Sequence, residues 1–229
     1  MSKATFFLHS VPEEDFKILA DIIRDKGVWN FSLKEKNKYE NYYNYVEATI
    51  NELLDYGSNT FASQVDYNVL LKDVCKKLEV SYEKEADMGR ALLEKIATSL
   101  FEKLSPEQKK EFIDMVLKDK NERENFYKEG AYLLFAALFK AGGFASYQLA
   151  VIIANNIATA ILGRGLSLTA NAVLTRALSF VSGPLALLMA AWTVKEIAGP
   201  AYRVTIPAVI YIEALRTIDS AKENGVLVL

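Results

Sequence analysis

The side chains able to do covalent or acid–base chemistry are few and widely separated. The chain of 229 residues has one histidine, His9, and one cysteine, Cys75. Two such ligands far apart make neither a zinc site nor a Cys–His nucleophile. Cys75 falls inside an apolar stripe of Tyr67, Leu70, Leu71, Val74 and Leu78, where a thiol reads as a small buried hydrophobe. His9 stands beside a helix-start signal and reads as an exposed or cap-adjacent residue. The acidic groupings Glu13-Glu14 and Glu83/Glu85/Asp87 sit in charged stretches. They read as helix-start or surface acids, not as an acid/base pair. Gly163-Arg164-Gly165 is too short for a dinucleotide fingerprint, no strand precedes it, and there is no phosphate-cradling GxxxxGK[ST]. The residues therefore predict no enzyme, no metal and no cofactor.

What remains is a set of cations in apolar surroundings. Arg203, with Tyr202 beside it, lies between Pro200 and Pro207. A guanidinium placed there can bind a lipid phosphate or a partner's carboxylate. It can equally close the carbonyls of a helix ending near Gly199. Arg164 and Arg176 carry the same two readings.

The elements that must position these residues are all helical. Ser10-Val11-Pro12-Glu13 has the spacing of a capping box and predicts a helix with Phe16, Leu19, Ala20 and Ile23 inward and Gly27 as its stop. Residues 28–38 form a polar connector. Tyr39–Tyr56 is a second helix, opened by Tyr39, Tyr42, Tyr43 and Tyr45, which read either as an aromatic interface or as half-buried rings with wet hydroxyls. Asp66–Glu79 and Tyr82–Lys103 follow, and Ser105-Pro106-Glu107-Gln108 starts another helix with proline at its first position. Lys118–Lys128 is a run of mixed charge, read as a solvated helix or linker. Beyond it Tyr132–Phe139 is apolar all round, which predicts burial. Gly142-Gly143 breaks the run, Phe144–Leu162 is helical, and shorter helices cover Leu168–Val181 and Leu185–Ile197. A last helix spans Pro207–Ala221, with Pro207 near its first turn. No strand pattern and no repeat stands out. The expected fold is all-α, a helical bundle with an acidic helical domain over 1–125 and a hydrophobic, glycine-punctuated helical domain over 126–229.

Composition sharpens that division. The hydrophobic share is 51%, only slightly above the ~45–50% of ordinary soluble proteins, but the excess is concentrated. Acids outnumber bases up to Gly130, whereas between Ala131 and Ala201 the cations Lys140, Arg164, Arg176 and Lys195 face Glu196 alone. A net charge of −2 gives nucleic acid nothing to bind. A single cysteine excludes an internal disulfide and fits a reducing compartment. The opening residues lack the hydrophobic run of a signal peptide, so the N-terminal half is expected in the cytosol.

Ala141–Gly163 carries no charge, and at ~1.5 Å per residue it is long enough for a ~30 Å hydrocarbon core. Gln148, Asn155 and Asn156 oppose insertion. Cations flank the segments on both ends, so orientation cannot be read from them. Three readings stay open: an integral membrane protein, an amphitropic protein whose hairpin enters the bilayer from the cytoplasmic face, and a soluble bundle that docks a partner helix. The expected partners are membrane lipid or a membrane protein, with self-association left open.

The strings GGFASYQLAVIIAN, ILGRGLSLTANAVLTRALS and above all AGPAYRVTIPAVIYIEALR resemble the C-terminal half of the YaaW-like family of bacterial proteins. FFLHSVPEEDFKILADIIRDKG and YNVLLKDVCKKLEV are similar to its N-terminal and middle parts, so the resemblance spans most of the chain. It implies a grouping with the ubiquinol–cytochrome c chaperone domain, a label for assembly factors of membrane respiratory complexes. No residue here carries that activity by itself.

Overall fold

A computed structural model describes residues 3–26, 39–57, 65–117, 123–124, 130–166 and 201–225. The fold is all-α, and among the described residues there is no strand. After a 3-10 turn, Lys3–His9, come α1 (Glu13–Lys26), α2 (Tyr42–Gly57), α3 (Tyr67–Lys77), a short 3-10 turn Glu85–Asp87, α4 (Met88–Glu102), α5 (Pro106–Val116), α6 (Ala131–Ala141), α7 (Gly143–Leu162) and α8 (Tyr202–Glu223). The expected stop at Gly27, the connector over 28–38, most of Lys118–Lys128, the two helices after Leu166 and the last four residues lie outside the described residues.

The final helix is the axis of the molecule. Every residue of α8 from Val204 to Leu215 is buried, because α1, α2, α3, α4 and α7 all pack against it. Its longest partner is α7, buried continuously from Ser146 to Ala158. A helix enclosed on all sides needs apolar residues on all sides, and both helices supply them. Residues from both ends of the chain share one core: Phe16, Leu19 and Ile23 of α1 join Val204, Val209 and Ile212 of α8.

Several helix ends follow the sequence signals. Ser105 accepts from the Gln108 amide at 3.3 Å, and the Gln108 side chain accepts from the Ser105 amide at 2.9 Å, closing a complete capping box before Pro106. Asp66 caps α3 through the Asn68 amide at 2.8 Å. Three expectations need correction. Ser10 does not cap α1; its hydroxyl donates to Phe7 O at 2.6 Å, and the amides of Asp15 and Phe16 bond to Pro12 O. Pro207 lies inside α8, five residues after its start, so the helix gives up one backbone bond there. The fourth helix begins at Met88 because the residues before it are extended or in the 3-10 turn.

The tyrosines at the start of α2 divide. Tyr42 donates to Val11 O at 2.9 Å, and Tyr45 packs edge-on against Phe16. Tyr43 is exposed and stacks on His9 at 4.0 Å. Phe101 of α4, Phe112 of α5 and Phe135 of α6 form a mutual edge-to-face cluster with centroids 5.7 to 6.1 Å apart, the geometry aromatic quadrupoles favour.

Candidate functional site

Only two side chains of α6, Phe135 and Phe139, are buried. Burial all round, the expectation for this segment, does not hold: Tyr132 is 49% exposed and Leu133 54%. The reason is one-sided packing, mainly on α4. Phe144, at the start of α7, is also exposed. Lys140 is the single charged residue of α6. The outer face is therefore apolar, and Gly142 and Gly143 carry it round the corner into α7 with φ of +69° and +72°, values that a residue with a Cβ avoids.

Behind that corner lies a cavity of about 640 Å³, walled by α3, α4, α6, α7, α8 and both 3-10 turns. Its polar heart is built from residues far apart in sequence. Tyr67 donates to Glu213 Oε1 at 2.7 Å, and Arg216 donates from Nε to Glu213 Oε2 at 3.0 Å. The same guanidinium donates from Nη2 to Ala4 O at 2.6 Å and lies 4.6 Å over the Phe7 ring. Helical spacing explains the ion pair, since Glu213 and Arg216 are three residues apart on one face of α8. Gly89 of α4 admits it: a Cβ there would stand 2.0 Å from Glu213 Oε2. Burial, then the nearby Glu213 carboxylate, pushes the Tyr67 phenol well above its ordinary range. Burial disfavours charge on Arg216, but Glu213 and then Tyr67 outweigh it and hold the guanidinium protonated. A phenol and a guanidinium held in these states bind and orient; neither is a base.

At the rim of the cavity Arg90 bridges Asp87 at 2.9 Å and Glu94 at 2.8 Å, and burial raises the Glu94 carboxyl against the pull of Arg90. Glu85 is tied to Lys72 at 2.7 Å. Among the described residues no group of three His, Cys, Asp or Glu side chains stands close enough to hold a metal. Cys75 is fully buried, and burial with the Glu213 charge pushes its thiol up to about 12.

The residues singled out from sequence do not line this cavity. Arg164 donates to Asp21, which also takes Arg24, and so ties the end of α7 to α1. Tyr202 opens α8 with Lys77 Nζ 4.9 Å over its ring. Arg203 follows it, half-buried, at the start of that helix. Arg176 lies outside the described residues. Sequence reading missed Tyr67, Gly89, Glu213 and Arg216 as a group. A trace of it was visible: Glu213 is the lone acid in the apolar run IPAVIYIEAL.

Residues 60–210 match the family model described as ubiquinol-cytochrome C chaperone. A UPF0174 protein of Helicobacter pylori strain J99 is 45% identical over 194 residues, covering 81% of this chain and 76% of that protein. The chain belongs to the YaaW-like UPF0174 proteins, within the ubiquinol-cytochrome C chaperone family. A second UPF0174 protein of the same strain is 35% identical and is covered over 94% of its length, with 81% of this chain matched. The UPF0174 protein YaaW of Escherichia coli K12 is 31% identical over 183 residues, 75% of this chain and 71% of YaaW. No solved structure matches the chain. The family match takes in α3 to α7 and the start of α8, and so most of the cavity wall as well as the exposed face of α6.

Proposed function

We propose that this YaaW-like protein is a non-enzymatic accessory protein that works at the cytoplasmic face of a membrane, resting the outer face of α6 and the start of α7 on lipid. The observation that carries the reading is the exposure of Tyr132 and Leu133 on α6, whose one charge is Lys140, and of Phe144 at the start of α7. Aromatic rings beside a lysine suit the boundary between headgroups and acyl chains. Insertion of α7 as a span is not part of the proposal. That helix has the length and composition to cross a bilayer, but 72% of its apolar window is buried among the chain's own helices. Arg164, Arg176, Arg203 and Tyr202 belong to the same proposal as groups meeting headgroups or partner carboxylates. The acidic residues 1–125 are proposed as scaffold and the hydrophobic residues 126–229 as the part that makes contact.

A second reading is favoured by the family match. The same face of α6 would then receive an apolar helix of a membrane-protein client, a chaperone role in keeping with the family's description as ubiquinol-cytochrome C chaperone. Nucleic acid is not a proposed partner under either reading.

Co-sedimentation with phosphatidylglycerol-containing vesicles tests the first. The parent is expected in the pellet, and Leu133→Asp and Phe144→Asp in the supernatant with unchanged circular dichroism. A parent chain that stays in the supernatant refutes lipid contact. Recovery of a membrane-protein client that Leu133→Asp no longer retains would then support the second reading.

A further inference from the structure

We propose that the cavity behind the α6–α7 corner binds the phosphate headgroup of a lipid whose acyl chains lie along α6. The inference rests on the lipid-contact reading and gives that contact a chemical specificity. Four observations converge on the same wall. First, the N-terminal end of α7 borders the cavity through Gly142, Gly143 and Ser146, and Gly142 offers no side chain to cap it. The first amides of a helix have no partner within it, and over 20 residues their dipoles align to favour an anion. Second, Ser146 is only 3% exposed and lines the cavity, yet its hydroxyl has no hydrogen-bond partner among the described residues. That hydroxyl faces the cavity, where it can donate to a ligand oxygen. Third, Arg216 makes its hydrogen bonds through Nε and Nη2 while its side chain stays 36% exposed, which leaves Nη1 for a ligand oxygen. Fourth, Phe139 and Ala141 at the end of α6 line the cavity, and the exposed Phe144 lies one residue beyond Gly143 of its wall, so a headgroup inside it is next to the apolar face.

Two acids also line the cavity. Glu213 has both oxygens bonded to Tyr67 and Arg216, and Glu85 is bonded to Lys72, so each charge is already offset. The unspent groups are donors. Donors without a surplus of positive charge suit a singly charged phosphodiester better than a multiply charged free phosphate.

Calorimetric titration of the full chain with dihexanoyl phosphatidylglycerol, kept below its micelle-forming concentration, tests the proposal. The parent is expected to bind one molecule. Ser146→Ala, which keeps the helix and removes one hydroxyl, is expected to weaken binding about tenfold, as for a hydrogen bond to a charged group. Ser220→Trp, at an exposed position on the cavity rim, is expected to block it. Leu133→Asp lies at the far end of α6, so it should still bind this short-chain probe even where it abolishes vesicle binding. That variant separates failure of the headgroup site from failure of the membrane contact. No binding by the parent, or equal binding by Ser146→Ala and Ser220→Trp, overturns the site. Equal affinity for glycerol phosphate without acyl chains overturns its assignment to lipid.

Discussion

α6 and α7 are neighbours joined by two glycines, and both are rich in Ala, Leu, Ile and Phe, yet they meet opposite surroundings. α7 is enclosed by α1, α4, α5, α6 and α8, and every residue from Ser146 to Ala158 is buried. α6 leans on α4 with two phenylalanines and leaves Tyr132 and Leu133 outside. Hydrophobicity alone does not separate the two; polar side chains do. α7 contains Gln148, Asn155 and Asn156, and two of these are used inside the molecule. Asn155 Oδ1 accepts from the Leu166 amide at 2.9 Å, and Asn156 Nδ2 donates to Ile152 O at 2.7 Å. Such groups have a place in a protein interior and none in hydrocarbon. Apart from the Tyr132 hydroxyl and Lys140, α6 has no polar side chain, and its outer face has nothing to lose against lipid.

The comparison can be broken by placing the same charge on each helix. Ile153→Asp in α7 puts a carboxylate at a position 1% exposed, and the loss of stability on urea denaturation is expected to exceed about 4 kcal/mol or to prevent folding. Leu133→Asp in α6 is expected to change stability by no more than about 0.5 kcal/mol. Equal losses at both sites would mean that α6 is as enclosed as α7. Between these extremes lies Gly89→Ala, whose methyl group must displace the Glu213 carboxylate from its pair with Arg216. A loss of about 2–3 kcal/mol is expected by the same measurement. An unchanged midpoint would show that the cavity wall is not held by that close approach.

The smallest expected effect is in alkaline stability. Tyr67 is held protonated above its ordinary range by burial and by Glu213. A raised folded value means that its contribution is complete below the unfolded value of about 10 and is lost as pH rises beyond it. Between pH 9 and pH 11 the parent should therefore lose more stability than Tyr67→Phe does. Parallel curves for the two would place Tyr67 in water.

Much of this architecture was legible before any coordinates. Helix faces such as Phe16, Leu19 and Ile23, the box at Ser105 and Gln108, and the burial of Cys75 are local patterns, written within one or two turns of chain. The cavity was not legible, because its parts come from Tyr67, Gly89, Ser146 and Glu213, and nothing in the sequence says that α3, α4, α7 and α8 converge. Pro207 was misplaced for a related reason. Proline ends a helix on local grounds, and only the enclosure of α8 by five other helices offsets the missing backbone bond. Ser10 had the right spacing for a cap, but its hydroxyl found the Phe7 carbonyl first.

The central claim is that the outer face of α6, and not the enclosed body of α7, meets lipid. A fluorescent label on Leu133→Cys tests it directly, since Cys75 is buried with its thiol pushed up to about 12 and stays unlabelled in the folded chain. On adding phosphatidylglycerol vesicles, the emission should rise and shift to the blue at position 133, while the same label at the exposed Val69 of α3 stays unchanged. No shift at 133, or equal shifts at both positions, would contradict the account.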